Sequence, residues 1–133
     1  MSNWKIVYVD DSRLELKAVE KALTEGGYTV VASADGEFLE RDVATADLVL
    51  IDYHLAGVTG KEVLDDLKRG LSGDAARRPL FYLYTSDQEV GGDYREMGFD
   101  GRLILKGNQE ALLRQLEAVQ RARKLRGMRP SSD

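Results

Sequence analysis

Polar residues able to do chemistry follow four short apolar runs, each of which has the length of a β-strand. The residues that follow these runs are Asp10 and Asp11, Asp52, Thr85, and Lys106. Three carboxylates held together repel one another unless a cation lies among them, and oxygen ligands completed by water suit Mg²⁺. Beside such a metal, one carboxylate can attack phosphorus, while the hydroxyl and the ammonium hold the phosphoryl oxygens. The residue types therefore predict a site for phosphoryl transfer.

Apolar periodicity predicts alternating strands and helices along the chain. The predicted strands are residues 5–9, 29–32, 48–51, 80–84 and 103–105, and the predicted helices lie around 14–23, 37–43, 60–70 and 109–125. Strands that are apolar on both faces indicate a parallel sheet covered by helices, and right-handed crossovers favour a small doubly wound α/β fold. Ligands of this fold lie beyond the carboxyl ends of the strands, where the polar residues fall.

Two stretches interrupt this pattern. The segment after Thr85 is a poor helix because Gly91 and Gly92 lie inside it, and the loop over 70–78 is long and polar. We expect one domain over residues 1–126 and a flexible tail over 127–133.

Composition excludes several classes of protein. A chain of 133 residues fits one domain, and 19 basic against 23 acidic residues argue against nucleic-acid binding. Cysteine is absent and His54 is the sole histidine, which excludes thiolate metal sites and disfavours a Ser-His-Asp hydrolase. No nucleotide-binding glycine motif is present. The sequence has no apolar run of membrane-spanning length and no signal peptide, so we expect a cytoplasmic protein without membrane contact.

The sequence resembles the receiver domains of bacterial two-component response regulators. The motifs that carry the resemblance are, in order, YVDDS, DLVLIDYHLAGVTG, LYTS and LILK. The resemblance extends from Lys5 to about Leu125 and implies a flavodoxin-like receiver fold with five parallel strands in the order 2-1-3-4-5.

The same resemblance implies a role for each polar residue. Asp52 would be the phosphoacceptor, taking a phosphoryl group from a histidine kinase or a histidine phosphotransfer protein. The ligands of Mg²⁺ would be Asp11 directly, Asp10 largely through water, an oxygen of Asp52, and the backbone carbonyl of His54. The phosphoryl oxygens would be held by Thr85 and Lys106. Such a protein is a signalling switch that catalyses its own phosphoryl transfer to and from Asp52, not a turnover enzyme, and it signals through a downstream protein partner.

Neighbouring positions would tune this switch. Ser86 matches a position that must be small, and His54 and Asp87 match the two positions that flank the incoming water during dephosphorylation. At the output switch position, which is normally aromatic, the chain has Leu103, or Arg102 after a shift by one residue. Gly107 replaces the usual proline after the lysine. We therefore expect an atypical output face, in which the segment after Thr85 becomes ordered upon activation.

Simpler interpretations exist for several of these residues. The two adjacent aspartates could cap a helix, Thr85 could bond its own backbone, and Lys106 could be a solvated lysine. For the whole protein, the main alternative is a receiver-like scaffold or adaptor that binds partners independently of phosphorylation. A magnesium-dependent phosphatase is a remote alternative, because it would need an acid where His54 stands.

Overall fold

The computed structural model describes residues 4–71 and 78–127. Its strands are β1 (Lys5–Val9), β2 (Thr29–Ser33), β3 (Leu48–Ile51), β4 (Leu80–Tyr84) and β5 (Gly101–Leu103). Its helices are α1 (Arg13–Glu25), α2 (Glu40–Ala44), α3 (Gly60–Arg69), α4 (Gln88–Gly92), α5 (Tyr94–Met97) and α6 (Gln109–Gly127). The strands form one sheet in the order β2-β1-β3-β4-β5, and all pairs are parallel. The predicted doubly wound α/β fold is confirmed.

Apolar clusters cover both faces of the sheet. Alternate residues of a strand point to opposite faces of the sheet. On one face, Val7 and Val9 of β1 pack against side chains of α3. On the other face, Ile6 and Tyr8 pack against side chains of α1 and α6. Burial on both faces explains why the strands are continuous apolar runs.

Side-chain caps fix where α1 and α3 begin. Ser12, and neither of the aspartates before it, caps α1 by accepting a hydrogen bond from the backbone N–H of Glu15 at 3.3 Å. At the start of α3, Thr59 and Glu62 form a reciprocal capping box. Because these caps satisfy the helix ends, the aspartates that follow β1 and β3 are available for the edge of the sheet.

The last strand differs from its prediction. We predicted a strand over 103–105, but β5 ends at Leu103. Leu105 has a φ of 59°, a value that is not compatible with a strand. The backbone N–H of Ile104 donates a hydrogen bond to Oε1 of Gln115 at 2.8 Å, and the backbone carbonyl of Ile104 accepts one from Nε2 of Gln115 at 2.9 Å. Lys106 therefore lies on a loop, three residues beyond the strand.

The predicted weak helix after Thr85 forms two short helices, α4 and α5, which meet at Asp93. Most of the predicted loop over 70–78 lies outside the described residues, as does the predicted tail from residue 128 onward.

Candidate functional site

The three aspartates meet at the carboxyl end of the sheet. Asp10 and Asp52 directly follow β1 and β3, and they are 0% and 8% exposed, whereas Asp11 is open to solvent. One carboxylate oxygen of each residue lies within 4.8 Å of the other two. Buried carboxylates this close need positive charge between them.

Lys106 supplies part of that charge. Its Nζ lies 2.7 Å from Oδ2 of Asp10 and 3.1 Å from Oδ2 of Asp52, and its side chain is 8% exposed. Burial alone lowers the pKa of Lys106, but the hydrogen bonds and charges of the two carboxylates outweigh burial and raise it. The side chain is thus a buried ammonium shared by two strand ends, and the interpretation of a solvated lysine is wrong.

Asp10 has a further donor that sequence reasoning missed. The hydroxyl of Tyr8 donates to Oδ2 of Asp10 at 2.5 Å, and the backbone N–H of Ser12 donates to Oδ1 at 3.0 Å. Burial, followed by this bond to Asp10, raises the pKa of Tyr8. A signal was present in the sequence, because residues two apart on a strand share a face and Tyr8 is a polar-tipped residue in an aliphatic run.

The acidic cluster fits a divalent cation by its charge. Three carboxylates and one ammonium leave two negative charges uncompensated at this edge of the sheet. Asp10 already accepts three protein hydrogen bonds and Asp52 accepts two, from the backbone N–H of Tyr53 and from Lys106, so Asp10 has the fewer oxygen lone pairs free for a metal. This donor set of carboxylate oxygens is suited to Mg²⁺.

Thr85 lies at the end of β4 and is 9% exposed. Its Oγ1 accepts a hydrogen bond from the backbone N–H of Asp87 at 3.2 Å, as the simple interpretation of a strand-end hydroxyl expects. That bond uses an oxygen lone pair and leaves the hydroxyl proton available to an incoming acceptor.

Two of the three predicted tuning residues contact each other. His54 Nε2 lies 2.8 Å from Oδ2 of Asp87, and the other carboxylate oxygen of Asp87 accepts from the backbone N–H of Val90 at 3.1 Å, capping α4. The hydrogen bond with His54, followed by that with Val90, lowers the pKa of Asp87. The pair thereby ties the loop after β3 to the start of α4.

A groove of about 510 Å³ opens beside Thr85, and Ser86, Arg102 and Lys106 also line it. The Leu103 side chain is 3% exposed and packs on the opposite face, with Tyr84 and α6. Of the two residues considered for the output position, Arg102 is the one whose side chain shares the face with Thr85.

Glycine is required at two positions around the site. A Cβ on Gly60 would lie 2.3 Å from the backbone oxygen of Asp52, so helix α3 begins in direct contact with the residue that follows β3. Gly107 has a φ of 99°, a value that proline, fixed near −65°, cannot adopt. The backbone itself therefore explains why no proline follows Lys106.

No family model matches the chain, and no curated protein sequence matches it. Solved structures do match. The beryllofluoride-activated receiver domain of DrrB is 26% identical over 90% of this chain and 98% of its own, with a TM-score of 0.70. The response regulator DrrB of Thermotoga maritima is 27% identical, and the chain spans 54% of its length, with a TM-score of 0.70.

Two further similar structures share the fold. The chemotaxis response regulator CheY4 of Vibrio cholerae is 24% identical over 89% of this chain and 99% of its own, with a TM-score of 0.71. A CheY-like receiver domain protein of Methanospirillum hungatei is 19% identical over 94% and 99% of the two chains, with a TM-score of 0.74. Within the described ranges, no helix combines the length and the apolar character needed to cross a membrane.

Proposed function

Because the chain is a receiver domain of the response-regulator family, we propose that Asp52 accepts a phosphoryl group from a phosphohistidine of a histidine kinase or histidine phosphotransfer protein. Receiver domains are signalling switches of two-component systems. The observation that carries the proposal is the position of Asp52, buried at the end of β3 with Lys106 at 3.1 Å and two more carboxylates beside it.

The proposed transfer is a displacement at phosphorus. A carboxylate oxygen of Asp52 forms the new O–P bond, the N–P bond to the donor imidazole breaks, and that imidazole takes up a proton from solvent. The ammonium of Lys106, already beside Asp52, pairs with the phosphoryl oxygens, and the hydroxyl of Thr85 donates its free proton to one of them. The ammonium of Lys106 already lies beside Asp52 before the reaction, so this donor needs little reorganisation.

In the proposed metal site, Asp11, Asp52 and the backbone carbonyl of His54 would hold Mg²⁺ directly, while Asp10 would act largely through water. When bound, the ion neutralises the carboxylates and the charge on the transferred group. The three hydrogen bonds that Asp10 already accepts support its indirect role.

Loss of the phosphoryl group is the second half of the proposed switch. Water attacks the acyl phosphate of Asp52, which releases inorganic phosphate and restores the carboxylate. Ser86 leaves room for the phosphoryl group, and the pair of His54 and Asp87 controls the approach of water. The imidazole of His54 is 62% exposed and lies 2.8 Å from the carboxylate of Asp87, which supports this role. The resulting change is passed to a downstream protein partner, and we place the protein in the cytoplasm.

Intact-protein mass spectrometry after incubation with acetyl phosphate tests the acceptor role. We expect one phosphoryl group to be added with Mg²⁺, little without it, and none in Asp52→Asn. The substitution keeps the size of the side chain, and circular dichroism confirms that the variant is folded. No addition to folded wild-type protein under any condition would contradict the proposal and favour a phosphorylation-independent scaffold.

A further inference from the structure

Arg102 is the cation of the groove that the proposed mechanism does not use. Its position on β5 pairs with Leu83 of β4, whereas Leu103 pairs with Tyr84. Since neighbouring residues of a strand point to opposite faces, Arg102 faces the side of the sheet that carries α4. It shares the groove with Thr85.

Gly91 provides the space in which the guanidinium lies. A Cβ built on Gly91 would be 3.0 Å from Nη1 of Arg102 and 3.8 Å from Cγ2 of Thr85. Gly91 is buried in α4, and because it has no side chain, the end of the exposed Arg102 side chain can lie against this helix, at a position whose Cβ would also contact the Thr85 methyl group.

The guanidinium of Arg102 has no ion-pair or hydrogen-bond partner within residues 4–71 and 78–127. The other cation that lines the groove, Lys106, is already paired with Asp10 and Asp52. Any negative charge added beside Thr85 therefore meets one free cation in the described part of the groove.

We propose that Arg102 is the residue that detects the phosphoryl group: it leaves its place against Gly91, pairs with the new negative charge beside Thr85, and so changes the packing of α4. This inference rests on the proposed phosphorylation of Asp52. A guanidinium suits the task because it presents several donors in one plane and pairs well with phosphoryl oxygens. Arg102 is then a positioning residue that couples the acceptor to α4, with no part in the transfer itself.

Nuclear magnetic resonance tests the coupling, with beryllofluoride and Mg²⁺ as a stable mimic of the phosphoryl group. The side-chain Nε–Hε signal of Arg102 is identified by its loss in Arg102→Gln, and the backbone amides of Gly91 and Gly92 report on α4. In the wild type we expect all three signals to shift by more than a linewidth. In Arg102→Gln the shifts of the two glycine amides should fall below half of the wild-type values, and Arg102→Lys, which keeps the charge, should recover part of them.

Arg41→Gln, a matched loss of charge on α2, should keep the wild-type response. Intact mass after acetyl phosphate separates the two hypotheses. If Asp52 is phosphorylated but the Arg102 signal stays in place, or if Arg102→Gln retains the full glycine response, the detecting role is wrong and the acceptor role stands. If Asp52 accepts no phosphoryl group, both proposals fail.

Discussion

The hydroxyl of Tyr8 lies 2.5 Å from Oδ2 of Asp10, and both side chains are fully buried. The same oxygen of Asp10 also accepts a hydrogen bond from Nζ of Lys106, at 2.7 Å. A buried carboxylate is tolerated only when donors satisfy it, so Tyr8 belongs to the polar site although it lies in an apolar strand.

Tyr8→Phe removes this donor and keeps the ring. Hydrogen bonds to charged groups contribute about 1.5–3 kcal/mol, so we expect the free energy of unfolding to fall by about that amount, measured by urea denaturation without Mg²⁺.

Tyr82→Phe is the matched control, because no described residue hydrogen-bonds the Tyr82 hydroxyl on β4. It should change the free energy of unfolding by less than about 0.5 kcal/mol. Equal effects of the two substitutions would contradict a special role for the Tyr8 hydroxyl.

Alkaline pH should weaken the fold through the same region. Burial raises the pKa of Tyr84 from 10.0 to about 12, and it raises the pKa of Tyr8 as well. Between pH 10 and about pH 12, the unfolded chain loses phenolic protons that the folded chain retains. The stabilisation that comes from these protonated phenols is therefore fully present below pH 10 and is lost as the pH rises toward 12. Tyr84→Phe should flatten this decline in denaturation curves measured across that range. A decline that is unchanged in Tyr84→Phe would contradict the assignment.

Sequence reasoning succeeded where a residue's neighbours along the chain decide its structure. The apolar run over 48–51 has the length of a strand and is too short for a typical helix, and β3 has these bounds. The approach of Asp10, Asp52 and Lys106 followed from parallel strands ending at one edge.

The error at β5 has a cause in the tertiary structure. Gly101 does not resemble a strand residue in the sequence, but a Cβ there would lie 2.6 Å from Cζ of Tyr82, its partner on β4. Glycine is therefore required by a ring on the neighbouring strand, which local pattern does not reveal. The place of Arg102 against Gly91 was hidden for the same reason, because it depends on how α4 packs.

Gly60→Ala should directly disturb Asp52, the proposed phosphoacceptor. The new methyl would lie 2.3 Å from the backbone oxygen of Asp52 and 2.8 Å from Cα of Tyr53, so the backbone must shift. We expect a loss of about 1–3 kcal/mol in the free energy of unfolding and slower phosphoryl uptake from acetyl phosphate.

Gly92→Ala serves as the control. Open space surrounds this position, and alanine favours a helix over glycine by about 1 kcal/mol, so stability should be unchanged or higher and uptake should be normal. A Gly60→Ala protein as stable and as reactive as the wild type would show that the contact between the start of α3 and Asp52 is unimportant.

Lys106→Met should make folding depend on a divalent cation. The ammonium separates two carboxylates that are 0% and 8% exposed, and removal of one partner of a buried ion pair costs about 3–5 kcal/mol. Mg²⁺ bound to the folded state restores stability by mass action, so thermal unfolding temperatures should rise more steeply with Mg²⁺ in the variant than in the wild type.

Lys61→Met, which removes an exposed pair with Asp65, should cost less than about 1 kcal/mol and leave the Mg²⁺ dependence unchanged. Equal Mg²⁺ dependence in all three proteins would mean that Lys106 does not compensate the acidic cluster.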